Sequence, residues 1–294
     1  MQLQLHNLIM EISLEPDPEW QFWRWKLDPF QCAPVSAAPD VRVVFSHESG
    51  TDKIGQIRLP VVFSEKNGFY TYTIYQAPDG SLFWCMDRPA KKQRIASFFI
   101  SPEWTEIKLL EDYSYSNGQL PFELLSRMLP SVFLKHSIVQ LHGVLLEDSG
   151  RGILICADSG IGKTTHARLW RDYRHSIIIN GDRASCVKEK NGWTAFGIPW
   201  CGTSGEYMNR AVPIRAIVAL ERGEVNEAVR LSGIEAFFRV MSYLQYPTWE
   251  PLLLEKGMDL VQDLTESVPV ICLRCKPDFE AVEILEKTIK GLEA

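Results

Sequence analysis

The sequence predicts an α+β protein. A β-rich N-terminal domain spans residues 1–118, and an α/β domain built around a glycine-containing loop spans 119–294. Three observations carry that expectation. Leu8, Met10, Ile12 and Leu14 take every second position, as in a strand with one buried face. Beyond a polar link at 113–119, short apolar runs alternate with stretches of helical spacing, the pattern of strands covered by helices. Residues 153–165, ILICADSGIGKTT, join an apolar run to an amphipathic stretch through a glycine-containing loop.

Within the first domain, further strands are expected at 41–46, 57–64, 68–76, 81–86, 94–100 and 106–110. Ala77-Pro78-Asp79-Gly80 is the turn between two of them, with proline and glycine where a tight reversal needs them. Such a series makes a small antiparallel sheet or a partial barrel. The aromatic segment 19–25, with Trp20, Trp23 and Trp25, fits either a partner-binding ridge or the filling of a small core. In the second domain, Phe122, Leu125, Met128, Leu129, Val132 and Phe133 fall at helical spacing. Strands follow at 152–156, 176–180, 194–198, 214–220 and 268–273, and helices at 164–171, 236–244, 249–263 and 278–292.

Composition narrows the function classes. Apolar residues make up 46% of the chain and charged residues 23%, as in ordinary globular proteins. A net charge of -6 argues against nucleic acid as a partner, because phosphate backbones reward a basic surface. The short basic run Lys91-Lys92-Gln93-Arg94 reads as a solvated loop. The first residues lack the basic and apolar regions of a secretory signal. No run reaches the ~18 apolar residues that span a bilayer, so no membrane partner is expected. Seven scattered cysteines, an odd number, suit free thiols and a cytoplasmic location. Cys272 and Cys275 form a C-x-x-C, but in a strand they face opposite sides.

The loop carries the chemistry. Gly160 and Gly162 let backbone N–H groups approach phosphate oxygens with no Cβ in the way. Lys163 supplies a compact cation and Thr164 a hydroxyl for Mg²⁺, while the helix start adds partial positive charge. Ser159, Gly160, Ile161, Gly162, Lys163, Thr164 and Thr165 are the expected nucleotide contacts; Thr165 reads equally as a helix cap. The usual pattern G-x-x-x-x-G-K-[ST] has Ala157 at its first position here. Asp158 closes the turn. Asp182 follows three isoleucines and Asn-Gly, at the strand edge where nucleotide-binding sheets place a metal or base residue; the competing reading is a turn Asp beside Gly181. Thr164 and Asp182 are the expected metal ligands. Arg183 and Arg215 are candidate phosphate or acceptor contacts, or surface ion-pair residues. Glu221, His166 and His175 are expected to have no role in the chemistry.

Residues 142–164, HGVLLEDSGRGILICADSGIGKT, resemble the start of the catalytic domain of the bacterial HPr kinase/phosphorylase family, whose fold ATP-dependent phosphoenolpyruvate carboxykinase shares. That resemblance implies a catalytic set of His142, Lys163 and Asp182, with His142 on the transferring phosphoryl group. The family keeps an Asp-Asp pair where this chain has Gly181-Asp182-Arg183, so Asp182 matches either member of the pair. The lost carboxylate bears on the reverse, phosphorolytic reaction. The family's Gly-rich second signature is altered to residues 196–206, FGIPWCGTSGE. Implied cofactors are ATP and Mg²⁺. The implied activity is ATP-dependent serine phosphorylation of a protein or peptide, as in diverged relatives that phosphorylate ribosomally made precursor peptides. A small-molecule hydroxyl kinase and an ATP-binding regulator without transfer are the rival readings, and homo-oligomerisation is left open.

Overall fold

The computed structural model describes residues 1–14, 21–45, 59–112 and 119–293. The chain divides into two compact units, Met1–Val132 and Phe133–Ala294. The expected strand at 57–64 begins, and Trp20 lies, outside the described residues.

The first unit holds strands β1 (Gln2–Leu5), β2 (Leu8–Leu14), β3 (Val41–Phe45), β4 (Val61–Asn67), β5 (Tyr70–Gln76), β6 (Leu82–Arg88), β7 (Gln93–Ile100) and β8 (Glu106–Asp112). They form one eight-stranded sheet in the order β1-β2-β3-β8-β7-β6-β5-β4. The sheet is mixed rather than antiparallel, because β3 pairs in parallel with both β2 and β8. Parallel neighbours need a long crossover. The connection from β2 to β3 supplies one and includes helix α1 (Gln21–Leu27). On α1, Trp23 is fully buried with ring centroids 4.4 Å from Phe45 and 4.9 Å from Phe122, whereas Trp25 is 67% exposed. The aromatic segment therefore splits between core and surface.

Helix α2 (Gln119–Lys135) contains the division between the units. The second unit continues with β9 (Ile138–Asp148), β10 (Arg151–Cys156), α3 (Lys163–Arg174), β11 (Ile177–Asn180), β12 (Arg183–Glu189), β13 (Gly192–Phe196) and β14 (Ala211–Arg222). It ends with β15 (Glu227–Leu231), α4 (Gly233–Met241), α5 (Pro251–Ser267), β16 (Val270–Cys275) and α6 (Phe279–Glu293). The strand order is β10-β9-β12-β13-β14-β16-β15, with β11 on β9 and β10 also paired to β14.

Strict alternation sorts this sheet's side chains onto two faces. Along β10, Ile153 and Ile155 join one apolar core while Leu154 and Cys156 join the other. Ala167 and Trp170 of α3, with Val282 and Leu285 of α6, cover the first face. Val240 of α4, with Val261 and Leu264 of α5, covers the second. Cys272 and Cys275 belong to different cores, and both are thiols outside any disulfide. No helix among the described residues is long and apolar enough to cross a membrane.

Candidate functional site

Strand β9 organises the site. Its first half pairs with β12, placing His142 opposite Arg183, and its second half pairs with β10, placing Gly143 opposite Cys156. His142 thus stands where the strand's partners change. On one side β10 leads into the phosphate loop, and on the other Asp182 leads into β12. The fork is closed by backbone bonds: Gly143 N–H donates to Asp182 O at 3.0 Å, and His142 N–H donates to Tyr243 O at 2.8 Å.

Between Cys156 and Lys163 the chain turns through two left-handed positions, Gly160 (φ 80°) and Gly162 (φ 128°). A Cβ at either glycine would meet nothing within 4 Å, so conformation and not crowding selects glycine there. Ala157 does not take a positive φ, so the methyl group at the motif's first position brings no backbone strain. Arg222, at the end of β14, donates to the Gly160 and Ile161 carbonyls and braces the loop from outside. No local pattern in the sequence marks that role.

Lys163 opens α3 and is only 9% exposed. Its Nζ reaches Ala157 O at 2.8 Å, Asp158 O at 3.2 Å and His142 Nε2 at 3.0 Å, which uses all three ammonium donors. Burial lowers its pKa from the ordinary lysine value, and the Asp182 carboxylate opposes that shift. Accepting from Lys163 leaves the neutral His142 ring with its proton on Nδ1, and Nδ1 lies 3.7 Å from Asp182 Oδ1. Burial, and after it the Lys163 charge, push the His142 pKa down. Asp182 Oδ2 lies 3.5 Å from Arg183 Nε.

The structure therefore brings His142, Lys163 and Asp182 together. Ser159 and Gly160 are exposed in the loop, Ile161 packs on the core, and Thr164 and Thr165 occupy the first turn of α3. Arg215 is not part of this group. It pairs with Asp148 at the far end of β9, about 20 Å from His142 at ~3.3 Å per residue. Glu221 binds Arg239 and Arg274, and the Arg239 hydrogen bond holds its carboxyl below the usual range.

A cavity of about 620 Å³ adjoins the loop. It is lined by Gly160, Gly162, Thr165 and His166 on one side and by Glu221–Glu224 and Cys275–Pro277 on the other. Strands β10, β14 and β16 run parallel, so the cavity lies outside their carboxyl ends, where open α/β sheets bind ligands.

These residues fit a nucleotide's phosphates. The N–H groups of Lys163, Thr164 and Thr165 begin the helix and have no intrahelical acceptor. The glycines leave open space above them, and the buried Lys163 ammonium stands beside them. Among the described residues no group of three or more His, Cys, Asp or Glu could hold a metal by itself. Mg²⁺ commonly takes one or two protein oxygens and completes its shell with phosphate and water. The Thr164 hydroxyl and the Asp182 carboxylate are oxygen donors of that kind.

No protein-family model matches the chain, and no curated protein matches it. Among solved structures, the HPr(Ser) kinase/phosphatase from Coxiella burnetii is similar with a TM-score of 0.34 and 14% identity, over 53% of this chain and 99% of that one. An overlap of that size carries no argument about activity.

Proposed function

We propose that the second unit is an ATP-dependent phosphotransferase that moves the γ-phosphoryl group to a hydroxyl, a serine of a protein or peptide. The observation that carries this reading is the convergence of Lys163, His142 and Asp182 at the start of α3, beside a loop shaped by Gly160 and Gly162.

Phosphoryl transfer needs positioning and charge neutralisation more than covalent chemistry. Mg²⁺-ATP, when bound, supplies the transferable group and part of the neutralising charge. The loop and first-turn N–H groups hold phosphate oxygens. Lys163 exchanges its contacts with the Ala157 and Asp158 carbonyls for phosphate oxygens. His142, neutral with its proton on Nδ1, offers a hydrogen bond rather than a second positive charge. Asp182 is the carboxylate within reach of that group, so it orients the acceptor hydroxyl, takes its proton, or holds the metal. The cavity beside Thr165 and His166 has room for the nucleoside.

Incubation with γ-labelled ATP and Mg²⁺ against the peptides and proteins encoded beside this chain tests the proposal. Label on a serine of one of them is the expected result. Tight ATP binding with no transfer to any peptide, protein or metabolite overturns it and supports an ATP-binding regulator. The single acid, flanked by Arg183 at 3.5 Å, is the feature that favours that second reading.

A further inference from the structure

Asn180 ends β11 two residues before Asp182, and its side chain is completely buried. A buried amide is costly unless its hydrogen bonds are made. Here its two N–H bonds and both acceptor positions are used. Nδ2 donates to Ile198 O at 2.9 Å and to Trp200 O at 3.1 Å. Oδ1 accepts from the Asp182 N–H at 3.1 Å and from the Arg183 N–H at 2.9 Å. The opposite amide orientation would set an oxygen against two carbonyl oxygens, so the network itself fixes the assignment.

The amide thus joins two segments that meet at Asp182. One is the turn 180–183, whose N–H groups it holds from inside. The other is the stretch 198–200, which leads into Gly202. An ideal Cβ at Gly202 would lie 2.6 Å from Asp182 Cγ, so this backbone passes directly against the carboxylate. A third segment ties in at the same place: Gly181 N–H donates to Glu206 O and Met208 N–H donates to Ile179 O, both at 3.0 Å.

We propose that Asn180 is a positioning residue, which presets the Asp182 carboxylate by locking its turn to the 198–202 segment. The inference rests on the phosphotransferase reading for what Asp182 does, but the clamp itself is a property of the protein alone. Asparagine suits the position for a chemical reason. Aspartate lacks the donors for the Ile198 and Trp200 carbonyls, serine has one donor where two are needed, and alanine supplies neither bond.

The test is a double-mutant cycle on the full chain with N180A, D182N and the double variant. Transfer to water is read as labelled phosphate released from γ-labelled ATP. N180A is expected to slow release by about 10- to 100-fold, the usual range for an outer partner of a reacting group, with fluorescent-ATP affinity unchanged. The double variant is expected to be no slower than D182N, because a residue that acts through Asp182 has nothing left to position. Additive losses overturn the proposal. Hydrogen exchange supplies a readout independent of activity: N180A must expose the Asp182 and Arg183 amides, and unchanged protection there also overturns it. Should N180A fail to fold, the isosteric N180D enters the same cycle with the same expectation. If wild type transfers phosphate neither to water nor to any peptide, protein or metabolite offered, the phosphotransferase reading fails, while exchange still decides whether Asn180 holds the turn.

Discussion

Gly160 and Gly162 have open space where a side chain would stand, whereas Gly181, Gly197 and Gly202 have none. A Cβ on Gly181 would lie 2.2 Å from Ser204 Oγ, one on Gly197 2.1 Å from Met208 O, and one on Gly202 2.6 Å from Asp182 Cγ. The first pair shapes a loop with open space beside it. The second set lets three backbone segments close around a carboxylate. Glycine is needed in both regions, in one for φ and for a ligand's approach, in the other for packing of the chain on itself. The two halves of the site should therefore fail differently when altered.

The largest expected effect is on chemistry at the packed half. Asp182→Asn should slow transfer by about 100- to 10,000-fold, the usual range for a general base. Nucleotide affinity should change by tenfold or less, about 1.4 kcal/mol, because in the proposed function the loop holds the phosphates independently of Asp182. Parallel measurements of label transfer and fluorescent-ATP binding check this, and unchanged transfer would remove Asp182 from the mechanism. On the loop half, Lys163→Ala should cost about 3 kcal/mol in transition-state terms, read from kcat/KM. Unlike the Asp182 change, it should also weaken binding of inorganic tripolyphosphate, since the contact proposed for it is to phosphate itself.

A pH signature belongs to the loop half as well. His166 lies in the first turns of α3, is 2% exposed, and accepts from Trp170 Nε1. Burial holds its pKa down to about 4 from an ordinary 6.5. The unfolded chain then binds the proton more readily, so the full contribution is present above about pH 6.5 and is lost as pH falls toward 4. At ~1.4 kcal/mol per unit this amounts to about 3 kcal/mol. Urea unfolding of wild type and His166→Gln at pH 7 and pH 4.5 should show a smaller loss in the variant, and equal losses would discount His166.

The smallest effects contrast the glycines directly. Gly197→Ala should destabilise by about 2 kcal/mol, because a backbone oxygen blocks the new methyl group and must move. Gly160→Ala meets no neighbour and should cost only the left-handed backbone term, about 1 kcal/mol. Equal losses in chemical denaturation would erase the distinction between the two halves.

Much of the loop half is legible locally. An apolar run, Gly160, Gly162, Lys163 and Thr164 are contiguous, and a helix start imposes its own geometry on them. The two-face alternation of a strand likewise separates Cys272 from Cys275, as β16 does in the fold. The packed half is not legible in this way. Asn180 reads as a polar residue at a strand end, and its partners Ile198 and Trp200 stand 18 and 20 residues on. Arg222 sits 61 and 62 residues from the carbonyls it braces. Strand β9 hides in plain view: its apolar run is evident, but its change of partner at His142 depends on strands that follow it in the chain.

The sequence by itself determined a mixed α/β chain, a glycine-bent loop entering a helix at Lys163, and alternating faces along the buried strands. Each of these follows from the conformational preferences of neighbouring residues and a fixed side-chain period. Only the tertiary structure decided that β3 lies parallel between β2 and β8, that His142 stands between Lys163 and Asp182, and that Asn180 locks the Asp182 turn to residues 198–200. Those arrangements join segments far apart in the chain. They come from burying apolar faces while pairing the buried polar groups that lie where those segments meet, and no local preference encodes that joint condition.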